Sequence, residues 1–145
     1  MNNDVKVQVP MWYWLIAIIA LLWYLMDMSA FSMRVFMLED MIEAMPDEQQ
    51  ALYLGMPNWV NTVFAIEVVG GVLGSLCLLL KKKWALVFFG MSIVGVLAQT
   101  SYVYFLSDAL SVLGVSAKIM PMVAISIGVG LIFFARHSVM MSWLK

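Results

Sequence analysis

Four times along this chain, about twenty residues pass with at most one charge among them: about 11–33, 59–80, 84–106 and 116–135. A helix needs roughly 20 apolar residues to cross the hydrocarbon core of a bilayer. A soluble domain of 145 residues could not bury four such stretches. The composition agrees. The chain is 64% hydrophobic and 12% charged with mean hydropathy +0.96, against about half apolar and a quarter charged in soluble domains. The expected fold is all-α: a single integral membrane domain over 1–145, a four-transmembrane-helix bundle with a short amphipathic helical segment in its outer loop.

The first stretch has WYWLIAIIALLWYLM as its core, longer than the apolar region of a secretory signal, and MSA after it makes a poor cleavage site. It is read as a membrane helix. In the fourth, Pro121 is placed near the helix start, where a missing N–H costs little.

Charge placement orients the spans. Lys81-Lys82-Lys83 joins the second and third, and short cationic loops stay cytoplasmic. With four spans, Lys6, those three lysines, Arg136 and Lys145 fall inside, against Arg34 and Lys118 outside. The acids Glu39, Asp40, Glu43, Asp47, Glu48 and Asp108 fall outside, with Asp4 inside. The expectation is a multi-pass protein of the bacterial inner membrane with both termini cytoplasmic. Trp12, Trp14, Trp84 and Trp143 are expected in the cytoplasmic aromatic belt, and Trp59, Tyr102 and Tyr104 toward the outer one.

The outer segment, 34–56, has its own pattern. Residues 31–45 put Glu39, Asp40 and Glu43 on one helical face among apolar neighbours, as in a continuation of the first helix or an interfacial helix. Pro46, the acids after it and Gly55 bracket a short helix over about Pro46–Leu54.

Glu67 is the residue that asks for an explanation. A charge at a helix centre costs about 2.5–3.5 kcal/mol, and each Val, Ile, Leu or Phe returns roughly 0.3–0.6 kcal/mol. The second span has twelve such residues, so Glu67 is tolerated. Gly70, Gly71 and Gly74 follow it at i+3, i+4 and i+7. This small-residue face lets another helix approach closely and turns Glu67 into a helix–helix contact. Glu67 lies eight residues from the outer end of its span, Gln99 seven from that of the third, and Asp27 about six from that of the first. Gln99 continues a face of Ser92 and Gly95, while Asn61 is nearer the surface. Asp27, Glu67, Gln99 and Asn61 are therefore candidates for binding a substrate or proton in the outer half of the membrane. Gly70, Gly71, Gly74 and Gly95 are candidates for helix packing. The competing reading is that a protonated Glu67 bonds Gln99 and merely holds the bundle together, at about 0.6–2 kcal/mol per interaction.

There are 14 methionines, and Met33, Met37, Met41 and Met45 recur at i+4. Thioethers suit Cu(I), and methionines one turn apart resemble those of eukaryotic copper transporters. Those have three spans and His- or Met-rich tails, which this chain lacks. The stripe is better read as adaptable apolar filling, and no metal is expected. Cys77 and His137 each stand alone: a small apolar residue, and a polar residue at the cytoplasmic interface beside Arg136. With no nucleophile set, no phosphate-binding glycine loop and no basic surface, the chain is expected to be no enzyme, to need no cofactor and to bind no nucleic acid.

MPNWVNTVFAIEVVGGVLGSLCLLLKKKWALVFFGMSIVGVLAQ, Met56–Gln99, resembles small bacterial four-helix inner-membrane proteins often labelled "sugar transporter". The shared features are a Pro-x-Trp entry, a glycine-bearing second span ending in Leu-Leu and basic residues, then Trp-Ala and a later Gln. The resemblance implies a four-span inner-membrane protein. Small multidrug exporters also have four spans and one membrane glutamate, but in the first helix, where this chain has Asp27. Two functions follow as expectations. One is an oligomeric transporter of a small solute using Glu67. The other is a non-transporting accessory or assembly subunit that packs on a larger membrane partner through its glycine faces. Expected partners are the lipid bilayer and either further copies or that larger protein.

Overall fold

The computed structural model describes residues 7–36 and 39–145. Among these residues the secondary structure is helical throughout, without strands. The helices are α1 (Met11–Val35), α2 (Glu39–Glu43), α3 (Asp47–Leu54), α4 (Asn58–Leu79), α5 (Ala85–Ser101), α6 (Ala109–Leu113) and α7 (Val115–Met140), with a π-helical turn, Tyr102–Leu106, after α5. Four helices are long and apolar enough to cross a membrane: α1, α4, α5 with its π turn, and α7.

Prolines begin three of the helices. Pro10, Pro46 and Pro57 each precede the first helical residue of α1, α3 and α4 in extended conformation. There, the fixed φ and missing donor cost nothing, because the first N–H groups of a helix have no internal acceptor. Pro121 is different. Because α7 starts at Val115, Pro121 lies in the seventh position rather than the first turn. It cannot donate to Ala117, and the neighbouring Lys118 carbonyl accepts a hydrogen bond from the Tyr104 hydroxyl at 2.9 Å. The helix also continues past Ala135 to Met140.

The outer segment is likewise more broken than expected. α1 stops at Val35, with the Phe36 N–H returning to Ser32, and α2 begins anew at Glu39. The methionine stripe is therefore divided among separate elements. Met33 and Met41 are exposed, Met45 is half-buried, and Met37 lies outside the described residues, as do Asp4 and Lys6 of the charge count. The short helix is present as α3, stopped by Gly55.

α4 and α5 form an antiparallel hairpin around which the rest is arranged: α1 packs on α4, and α7 on α5. Glycine makes this hairpin tight. A Cβ on Gly70 would stand 2.8 Å from the Phe88 carbonyl oxygen, and one on Gly95 2.7 Å from that of Val63 and 2.9 Å from the Glu67 nitrogen. Each helix thus presents a glycine to the other's backbone. On the neighbouring faces of α4, Gly71 receives the Tyr24 ring of α1 and Gly74 the Phe89 ring of α5.

The end carrying the three lysines is sealed. α4 and α7 both stop with the same turn. Lys82 N–H donates to Cys77 and Lys81 N–H to Leu78, while Trp143 N–H donates to Ser138 and Ser142 N–H to Val139. These paired bonds reclaim orphan helix carbonyls and need a left-handed residue, here Lys81 (φ 56°) and Ser142 (φ 61°). The second turn sends the tail back under the helices, where Lys145 N–H donates to Lys81 at 2.8 Å and Lys83 N–H to Lys145 at 3.1 Å. Trp143 and Leu144 are consequently buried. Trp143 is no member of an exposed belt. It stands edge-on to Trp12, Tyr13 and His137 at 5.4, 5.8 and 5.6 Å. The fully buried Tyr13 hydroxyl donates to the Leu78 carbonyl. Since that carbonyl also accepts from Lys81, Tyr13→Phe should lower stability by only about 1 kcal/mol in detergent unfolding, the net value of one hydrogen bond.

Candidate functional site

Beyond this end a partly open cavity of ≈ 190 Å³ lies between the four long helices, its wall largely apolar but carrying a cluster of charged and polar side chains. α1 contributes Trp23, Asp27 and Arg34 to its wall, and α4 contributes Phe64 and Glu67. From α5 come Val96, Gln99 and Thr100, from the π turn Val103, and from α7 Met120, Pro121 and Ala124. Each helix delivers its residues by period. Trp23, Asp27 and Arg34 stand at i, i+4 and i+11 on one face of α1, and Phe64 and Glu67 at i and i+3 on α4. Glu67 is nine residues into α4, about 13 Å along the axis at 1.5 Å per residue.

The close hairpin crossing explains why Glu67 is buried. Gly95 lies against the backbone nitrogen and Cβ of Glu67, so α5 covers the base of a side chain that also lines the cavity. Glu67 is 4% exposed. Its Oε2 is buried without a hydrogen-bond partner, and so is Gln99 Oε1. Hence the pairing of Glu67 with Gln99 expected from packing alone is not made through these atoms, although both residues line one cavity. An unsatisfied polar atom in a buried site costs about 1–3 kcal/mol, a cost that bundle packing leaves uncompensated. Thr100 spends its hydroxyl proton on Val96 at 2.6 Å and offers the cavity only lone pairs.

Arg34, assigned to the outer loop from the sequence, belongs to the site. α1 runs two residues beyond the expected end of the span, and this brings Arg34 onto the Asp27 face. Its guanidinium lies over the Phe64 ring, 4.5 Å from the centroid, a geometry that suits a cation on an aromatic face. The i+7 spacing of Asp27 and Arg34 was the signal in the sequence. Arg34 and Val103 also line a second cavity of ≈ 90 Å³ with Leu52 and Tyr53 of α3 and Leu113 of α6. α3 packs on α6 above it. Arg34 therefore stands between the Glu67 cavity and the acidic end of the molecule. The π turn beside it suits such a place, since π segments occur disproportionately at functional sites.

Asp27, Glu67 and Gln99 are thus brought together, and Asn61 is not. Asn61 lies six residues earlier on α4, with its Oδ1 buried and unpartnered but away from the cavity wall. On the lysine side the packing is continuous. The Tyr24 ring meets Phe89 with centroids 6.2 Å apart, and Ser92 donates to the Tyr24 hydroxyl at 3.4 Å. Among the described residues no group of three or more His, Cys, Asp or Glu side chains is gathered as a metal site. His137 is exposed and Cys77 half-buried, both remote from the cavity lining.

Comparison with protein-family models, with curated proteins and with solved structures gives no match in any of the three.

Proposed function

We propose that the chain is a small multi-pass protein of the bacterial inner membrane, of the four-helix kind its central segment resembles, and that it moves a small polar solute with Glu67 as the coupling carboxylate. The single observation that carries this reading is a buried glutamate, one of its oxygens unpartnered, that lines a cavity together with Asp27, Arg34 and Gln99. An ionisable side chain within a membrane helix is costly, and where it persists it commonly marks a solute or proton path. Nothing in the cavity wall supplies a nucleophile or ligand set, so catalysis is not part of the proposal. Proteoliposomes containing the purified protein should show solute-dependent proton movement. Their failure to do so across a solute panel, with the protein folded and correctly inserted, would remove the reading.

One observation favours a second reading, that of an accessory subunit. The lysine end is filled by the buried side chains of Tyr13, Trp143 and Leu144, none of which lines the cavity. A path through that end requires either movement of this plug or an oligomer, whereas a subunit that only docks on a larger protein requires neither. Its docking face is then not the expected glycine faces, because Gly70, Gly71, Gly74 and Gly95 are all filled by contacts within this chain. Co-purification of one stoichiometric membrane partner would favour docking.

The proposed orientation places both termini and the three lysines in the cytoplasm and α2 and α3 in the periplasm, following the cation asymmetry. Reporter fusions at Lys82 and Glu48 are expected to report opposite sides. A shared side for the two positions is incompatible with four spans.

A further inference from the structure

The cavity also indicates what kind of solute it takes. Its ionisable residues are Asp27 and Arg34 from α1 and Glu67 from α4, while α5, the π turn and α7 contribute none. With both carboxylates ionised the lining sums to −1, which either one proton on Glu67 or one monovalent cation brings to neutral, so the two compete for the site. Among lipid tails that balance matters more than in water, because an uncompensated buried charge is expensive. The oxygens left without partners are likewise acceptors: Glu67 Oε2, 96% of whose residue surface is buried, and Gln99 Oε1. Asp27 adds a carboxylate and Thr100 its lone pairs, since its proton is already committed to Val96. The Arg34 guanidinium is engaged with the Phe64 ring and leaves these acceptors unserved. No donor of the wall, Arg34 included, is bonded to Glu67 Oε2 or Gln99 Oε1, so a further positively charged cluster of donors would find acceptors free.

We infer that the cavity is a binding site for a small primary alkylammonium ion, held by acceptors from three helices: Asp27, Glu67 and Gln99. A primary ammonium has three N–H donors, one for each of those helices. Trp23 supplies an aromatic wall for the alkyl group and for the cation. Volume limits the size. At about 30 Å³ per water, ≈ 190 Å³ holds roughly six waters' worth of solute, well below the ~300–1,000 Å³ of pockets for drug-sized ligands. Arg34, at the side leading to the acidic end, disfavours a larger or doubly charged cation. This inference rests on the reading of the cavity as a solute site.

The test uses radiolabelled methylammonium and the full chain in nanodiscs. Saturable binding is expected, displaced by unlabelled methylammonium but not by acetate or glycine. Tetramethylammonium, equal in charge but without N–H donors, should compete at least about ten-fold more weakly. Glu67→Gln should weaken binding by at least about ten-fold, because a charge-assisted hydrogen bond becomes a neutral one. Asp27→Asn should weaken it in the same direction, and supplies the readout if Glu67→Gln does not fold. Arg34→Gln, which removes a like charge, should bind as tightly as the parent or more tightly. Equal affinity in folded Glu67→Gln, effective displacement by glycine or acetate, or no saturable binding in the millimolar range would each overturn the assignment. Glu67-dependent binding without flux in liposomes would keep this site and remove the transport reading. Flux of another solute, indifferent to methylammonium, would keep transport and remove this ligand.

Discussion

Glu67→Gln is expected to fold and insert like the parent yet lose solute-coupled proton movement by an order of magnitude or more. The substitution preserves length, planarity and one carbonyl acceptor, and it removes only the negative charge and the exchangeable acid proton. The wall around the side-chain base, formed by Gly95 and the α4–α5 crossing, is indifferent to that change. Stability should therefore stay within about 1 kcal/mol of the parent, the scale of a single hydrogen bond in a membrane helix. Flux and stability thus separate the two roles a buried carboxylate can have. A transporter loses the first and keeps the second. A residue that only joins helices leaves flux unaltered, so full flux in Glu67→Gln would sink the coupling role. Glu67→Leu is less useful. It removes an acceptor, adds apolar branches beside Gln99 and disturbs packing under either reading.

The second large effect is expected at the crossing itself. In Gly95→Ala a methyl group must enter 2.7 Å from the Val63 carbonyl oxygen and 2.9 Å from the Glu67 nitrogen. Both obstacles are helix backbone, which cannot rotate aside as a side chain would. The hairpin must spread, and overpacking of this kind costs typically about 1–3 kcal/mol, enough to exceed the roughly 1 kcal/mol that alanine gains over glycine in a helix. Gly95→Leu should be more severe and should also lower assembly in the membrane. Gly130→Ala is the control, because nothing lies within 4 Å of the added carbon, and it should be neutral or slightly stabilising. Thermal unfolding in detergent of the three variants measures the difference. If Gly95→Ala matched Gly130→Ala, the helices could not approach as closely as described.

Much of this architecture was legible in advance because apolar length and charge spacing are local properties. The four long helices agree with the expected stretches to within a few residues at most ends, and α3, Asp47–Leu54, is bracketed by Pro46 and Gly55. The shared depth of Asp27, Glu67 and Gln99 followed from counting along helices of constant rise. Other features depend on where chains meet. Arg34 was assigned to the loop because a hydropathy boundary falls before it, while the helix continues through it. Pro121, by contrast, lies too deep for a first-turn proline, and that was legible from the sequence: it is the sixth residue of a helix starting at about 116, and the seventh of α7 from Val115. The buried position of Trp143 depends on left-handed turns at Lys81 and Ser142, residues that seldom adopt them. The failure of Glu67 and Gln99 to satisfy one another is a matter of side-chain aim, and no periodicity reports it.

The arrangement of neighbours also bears on the order of assembly. α1 is synthesised before the other three long helices, yet its main partner, α4, begins at Asn58. Until then its Tyr24 ring has no Gly71 to rest in, and its Tyr13 hydroxyl no Leu78 carbonyl to bond. The α4–α5 hairpin, joined by a turn of a few residues, can close on itself as soon as it emerges. It then offers one flank to α1, already synthesised, and the other to α7, which follows. Damage to the hairpin should leave both outer helices stranded, whereas damage confined to an outer helix should spare the hairpin, and pulse-labelled truncations would display that asymmetry as a hierarchy of protease-resistant fragments.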